Sequence, residues 1–301
     1  MGETKVEVIF YAAMVIIGWG VWLAPAQNIP LKNQQIKTFY VALANLAVAF
    51  IVGLNQGLNH LNVQLIIFPF LGGIIWTLGG YVAFVATNRI GMAKAVGIWA
   101  PINIIVSIFW GMILFGEFLN SGASEGMKAI LAVVVIIIGI LLIIFAGTVK
   151  RLDKEKRSLD RIGAMAAIGA GVIWGSYFIP IRLAEASLWV TAFPMAIGMF
   201  VGSIILVFAS KENIKLEKNS YYVRTLLSGA LWTLGNYGSL KMMELIGTGK
   251  GFTVSQLGIV LTTMIGIFLF KNPDPKTKEA KIAFVGITLA AIGGVVLGNL
   301  R

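Results

Sequence analysis

Charged residues leave long gaps along this chain. Stretches 8–31, 38–88, 95–116, 129–149, 162–181, 186–210, 225–240, 251–270 and 282–300 contain no Asp, Glu, Lys or Arg. A bilayer core of about 30 Å takes about 20 such residues per helix. The longest stretch, 38–88, is cut by the polar run 55–62 (NQGLNHLN), which reads as a loop between two spans. The short stretch 225–240 is expected to extend from Tyr221 to Leu245, with Lys241 and Glu244 near its end and paired with each other. The pattern predicts ten transmembrane helices. A membrane β-barrel would alternate polar and apolar positions in segments of about ten residues, and these runs are continuously apolar. The first span is flanked by Glu3, Lys5 and Glu7 with no basic bias and no small-residue cleavage site after it, so it reads as a retained helix rather than a signal peptide.

The two halves repeat. Trp19-Gly20 and Pro25 recur as Trp174-Gly175 and Pro180 at an offset of 155. The run 73–81 (GIIWTLGGY) recurs as 229–237 (GALWTLGNY), and Ile90-Gly91 with Lys94 recurs as Ile246-Gly247 with Lys250, both at 156. The expected organisation is a five-helix repeat over 1–149, a basic linker over 150–161 and a second five-helix repeat over 162–301. An odd number of spans per repeat turns the second repeat upside down. With loops assigned alternately to two sides, one side collects only Lys5, Lys128, Arg182, Lys241, Lys250 and Arg301 of the 24 Lys and Arg. The other side holds the remaining 18, and the positive-inside rule makes it cytoplasmic, with both termini outside. The expected fold is therefore an all-α integral membrane protein of two inverted five-helix repeats in the cell membrane.

Composition agrees and narrows the function. Of 301 residues 58% are hydrophobic and 12% charged, about half the charge of an ordinary soluble domain. That excludes a soluble enzyme, a disordered tail and a collagen-like fibre. The net charge of +11 reports membrane orientation rather than nucleic-acid binding. The absence of Cys removes disulfides, thiolate metal sites and a catalytic thiol. An intramembrane enzyme would need paired acids, a metal cluster or a nucleophile with its base. The chain has one His, no His-Glu-x-x-His and no pair of mid-span acids, so no enzyme and no cofactor is expected. Inverted repeats are a transporter device, with the substrate site near the midplane between the halves.

These residues resemble the drug/metabolite transporter superfamily, and within it the glucose/ribose porter family of sugar-uptake proteins. The resemblance rests on 90–101 (IGMAKAVGIWAP), on 253–258 (TVSQLG), on Trp-Gly at 19–20 and 174–175, and on Gly-Glu at 116–117. The family's second Gly-Glu is replaced here by Lys271-Asn272, followed by an Asn-Pro-Asp-Pro turn. The resemblance implies a permease for a small neutral solute, a monosaccharide first, working by alternating access. An exporter of amino acids, metabolites or amphiphilic drugs is the alternative that the same superfamily leaves open.

A sugar needs aromatic faces for its C–H surface and amides or hydroxyls for its hydroxyls. The candidates are Gln256, Ser255, Asn236, Tyr237 and Trp232 in the second half, with Trp76, Asn103, Tyr81 and Trp99 as counterparts or near counterparts in the first. Trp232 and Asn236, four apart, share a helix face. Interfacial belts, helix packing and interhelical hydrogen bonds are the structural alternatives for these residues, and Trp19 and Trp174, set among small residues, read as packing. Lys94 and Lys250 are repeat-equivalent cations placed as pathway or gate residues, or as snorkelling side chains. Glu117 reads as a loop charge or gate. No deep carboxylate is present for proton coupling, so uniport, H+ and Na+ coupling stay open.

Overall fold

A computed structural model describes residues 2–30, 34–56, 62–115, 123–146, 154–211, 213–246, 248–271 and 273–298. Helices fill almost all of it: α1 (Gly2–Val21), α2 (Leu23–Ala26), α3 (Gln35–Gln56), α4 (Val63–Ile90), α5 (Met92–Phe115), α6 (Ala123–Ala146) and α7 (Lys154–Trp174). Then come α8 (Phe178–Leu183), α9 (Leu188–Ser210), α10 (Asn219–Ile246), α11 (Thr248–Ser255), α12 (Gly258–Met264), a π-helical turn at Ile265–Leu269 and α13 (Lys278–Gly298). No strand occurs among the described residues.

Eight of these helical stretches are long and apolar enough to cross a membrane, and Gly258–Leu269 is a shorter apolar one. Helix α10 has the length, at 28 residues, but its first half carries Asn219, Ser220, Arg224, Thr225 and Ser228. Large apolar side chains point outward along these helices, including Val6, Ile130, Met165 and Phe208, as a lipid solvent allows and water does not. The chain is a multi-pass membrane protein. α7 begins at Lys154, so the helix runs back through part of the basic linker.

Proline sets two of the breaks. Pro25 and Pro180 have no N–H to give the carbonyl four residues back, and their rings crowd it. Helix α1 accordingly stops at Val21 and restarts as the four-residue α2, and α7 stops at Trp174 and restarts as the six-residue α8. A third break lies at Gln256 and Leu257. There the Gln256 N–H still reaches the Phe252 carbonyl at 3.1 Å, while the Ile259 N–H turns to the Gln256 carbonyl at 2.9 Å, a tighter turn. The sharp corner from α4 to α5 uses Gly91 at φ 80°, a conformation open to residues without a Cβ.

Packing pairs the elements across the halves. Helix α4 packs on α7 and α9, while α10, at the matching place in the second half, packs on α1 and α3. α5 packs on α7, and α11 and α12 pack on α1. α3 meets α9, and α6 meets α13. Small residues permit this closeness: a Cβ on Gly139 would lie 2.5 Å from the Gly286 carbonyl, and one on Gly171 2.6 Å from the Trp99 carbonyl.

Candidate functional site

The breaks in α1–α2, α7–α8 and α11–α12 all open onto one cavity of about 60 Å³, which α4, α5 and α10 complete. A water needs about 10–15 Å³ by this measure, so the space takes several waters or one small molecule. Nearly half of its lining residues are aromatic: Trp19, Trp22, Trp76, Trp99, Trp174, Tyr177, Trp232 and Phe252. These rings touch in a chain. Trp76 lies 4.3 Å from Trp232 and stacks on Trp174 at 5.9 Å, and Trp174 meets Trp99 and Trp22 edge-on at 5.3 and 5.9 Å. On a second side Trp19 meets Phe252 edge-on at 6.4 Å.

The polar groups are few and uncharged. Asn103, Ser255, Gln256 and Thr262 line the cavity, and no Asp, Glu, Lys, Arg or His is among its described lining residues. Ser255 Oγ donates to the Gly251 carbonyl at 2.7 Å, and Thr262 Oγ1 bridges to the Gly20 carbonyl at 2.9 Å, which ties α12 to α1. Asn103 Oδ1 is buried and accepts from none of the described residues. Gln256, 8% exposed, makes no side-chain hydrogen bond among the described residues. Two carboxamides, one from each half, are thus unspent at the cavity.

Repeat-equivalent tryptophans differ here. Trp174 Nε1 donates to the Trp76 carbonyl at 3.1 Å, and its ring lies against Gly79. Trp19 lies against Gly235, the equivalent of Gly79, yet its buried Nε1 has no partner among the described residues. Both do the packing expected of them, and both line the cavity as well.

The expected site residues divide. Gln256, Ser255, Trp232, Trp76, Asn103 and Trp99 come together at the cavity. Asn236 stands one layer behind: its Oδ1 accepts from the Tyr177 hydroxyl at 3.4 Å, and Tyr177 lines the wall. Tyr237 packs elsewhere, with Ala192 and Leu240, and Tyr81 is half-buried off the cavity. Lys94, half-buried in the first turn of α5, does not line it, and Lys250 lies in α11. Glu117 and His60 lie outside the described residues. The Lys241–Glu244 pair forms as expected, at 2.9 Å. Trp22, Tyr177, Phe252 and Thr262 had not been expected at the site. A signal existed for two of them: Trp22 and Tyr177 stand at the 155 offset, each three residues before a repeated proline.

A membrane-embedded bundle around an uncharged, aromatic, amide-bearing cavity is the architecture of a small-solute carrier, and comparison with known proteins agrees. The profile of the sugar transport protein family matches residues 10–300. A Listeria monocytogenes protein named for sugar uptake is 27% identical over 292 residues, 96% of this chain and 98% of the relative. The glucose uptake protein GlcU of Bacillus subtilis is 28% identical over 239 residues, 79% of this chain and 80% of the relative. One crystal structure shares the fold with a TM-score of 0.60 at 16% identity, over 98% of both chains. The chain belongs to the sugar transport protein family, a family of transporters and not of enzymes.

Proposed function

We propose that this protein is a ten-span secondary transporter that carries a neutral monosaccharide by alternating access, with its site at the aromatic cavity. The observation that carries the reading is the lining itself: rings contributed by both halves, one carboxamide from each half without a side-chain hydrogen bond among the described residues, and no Asp, Glu, Lys, Arg or His among the described lining residues. An aromatic face takes the C–H surface of a pyranose, and the amides of Asn103 and Gln256 take its hydroxyls. A sugar phosphate, an amino acid or a cationic drug would bury a charge there without a counter-charge, which is costly. Names borne by the relatives point the same way.

The ten spans are α1–α2, α3, α4, α5, α6, α7–α8, α9, α10, α11–α12 with the π turn, and α13. The exchange symmetry of the packing and the repeat offsets favour two inverted five-helix units, and the Lys and Arg bias favours a cytoplasmic linker with both termini outside. Movement of one unit against the other would open the cavity to each face in turn. Binding tests this proposal directly: sugar should change the tryptophan fluorescence of the detergent-solubilised protein. Gln256→Ala should abolish that response while the thermal unfolding profile stays intact, and a retained response would move the site elsewhere.

A further inference from the structure

The halves match in how their helices pack but not in what holds their broken helices. Helix α10 grips the end of α2 in three places. Arg224 donates from Nε to the Pro25 carbonyl at 2.7 Å and from Nη2 to the Gln27 carbonyl at 2.5 Å, and Ser228 Oγ donates to the Trp22 carbonyl. At an offset of 156 the counterparts of Arg224 and Ser228 are Phe68 and Gly72, which carry no side-chain donor. Where α4 meets α8, Gly72 lies against the Tyr177 carbonyl and Ile181, and a longer, exposed bond runs from Gln64 Nε2 to the Leu183 carbonyl at 3.4 Å.

Next to this grip stands a thin aromatic and cationic layer. Trp22, a lining residue of the cavity, meets Phe84 edge-on at 5.7 Å, and the Lys37 ammonium sits 5.9 Å from the centre of the Phe84 ring. Lys37 is 3% exposed, pairs with no acid among the described residues, and feels the like charge of Arg224. At offsets of 155 and 156 the counterparts of Lys37 and Phe84 are Ala192 and Leu240. One end of the cavity is therefore bounded by a polar, cation-bearing closure, whereas the counterpart positions Phe68, Gly72, Ala192 and Leu240 are apolar.

We propose that the α2–α10 contact is the cytoplasmic gate of the pathway, that Arg224 latches it shut, and that Lys37 loads it toward opening. This rests on the carrier reading and on the orientation given above. A guanidinium can fork to two carbonyls at once, which an ammonium on a flexible stem does not reproduce. The latch makes its bonds only while α2 lies on α10. Lys37 acts in the opposite sense, because a buried cation without an anion gains hydration and sheds repulsion from Arg224 when the layer parts.

The test uses the absence of native Cys. Ala100→Cys, and separately Val96→Cys, place one thiol on the α5 side of the cavity. The rate of labelling by a membrane-impermeant maleimide is read from each face of oriented vesicles, without sugar. Loss of a charge-assisted bond shifts an equilibrium by about tenfold or more. Arg224→Ala and Arg224→Lys should each raise labelling from the cytoplasmic face by about that factor and lower it from the outer face. Lys37→Met should lower cytoplasmic labelling. General loosening of the fold would move all three variants the same way, so that outcome, unchanged rates, or a rise from the outer face would each overturn the gate. Sugar uptake measured on the same vesicles separates the two readings. Opposite-sign labelling with no uptake sinks the carrier reading alone, whereas uptake with unresponsive labelling sinks the gate alone.

Discussion

Asn103→Leu should stabilise the empty protein and weaken its grip on sugar. The side chain is 7% exposed and its Oδ1 is buried without a donor. Such an orphan acceptor costs about 1–3 kcal/mol. Leu has a similar volume and no polar atom, and an imperfect fit of that kind costs less than about 1.5 kcal/mol. The balance is a gain of about 1 kcal/mol, a rise of a few degrees in the unfolding midpoint. With sugar the sign reverses. A hydroxyl that the carboxamide would have met is buried unpaired, at about 1–3 kcal/mol, so the dissociation constant should rise by about 5- to 150-fold. Thermal unfolding followed by the fluorescence of the 8 Trp, with and without sugar, reads both quantities. A midpoint several degrees lower with unchanged affinity would refute the reasoning and make Asn103 a packing residue.

Other substitutions follow from the same geometry. Trp174→Phe removes the 3.1 Å bond to the Trp76 carbonyl whereas Trp19→Phe removes only an orphan donor, so the first should lower stability by about 1 kcal/mol more than the second in chemical denaturation. Equal effects would mean that the asymmetry is without consequence. Gly139→Leu must push α6 off α13, since a Cβ alone would stand 2.5 Å from the Gly286 carbonyl. Little folded protein should elute in the monodisperse peak on size exclusion. Glu244→Gln breaks a part-exposed pair with Lys241 and should change stability by less than about 1 kcal/mol; a larger loss would give that pair a structural role.

Much of the fold was legible because a lipid solvent imposes a simple pattern. Uncharged runs marked nearly every long helix, and the extension of the short run to 221–245 agrees with α10 at Asn219–Ile246. The interruptions were harder to read. Pro25 and Pro180 stood in the repeat, but a proline near a helix end can kink, stop or restart it, and only packing decides which. The break at Gln256 and Leu257 carries no proline, so nothing local announced it.

At the site, residue chemistry picked out Gln256, Ser255, Asn103, Trp76 and Trp232 correctly as neighbours. It failed for Tyr237 and Tyr81, because a hydroxyl on an apolar helix says nothing about which face turns inward. Trp19 and Trp174, read as packing first, pack as expected and also line the cavity. A ring of that size can lie on a glycine of the next helix and still present its other side to a cavity. The latch at Arg224 was hidden in a count of basic residues, since its partners are main-chain carbonyls that no sequence pattern marks.

Uptake into proteoliposomes tests the central claim most directly. Labelled glucose, ribose, rhamnose, an amino acid mixture and a cationic dye are offered to vesicles with and without pH and Na+ gradients. The account predicts saturable uptake of at least one neutral monosaccharide, lost in Gln256→Ala, with no movement of the dye. Transport of the dye or the amino acids without any sugar would contradict it.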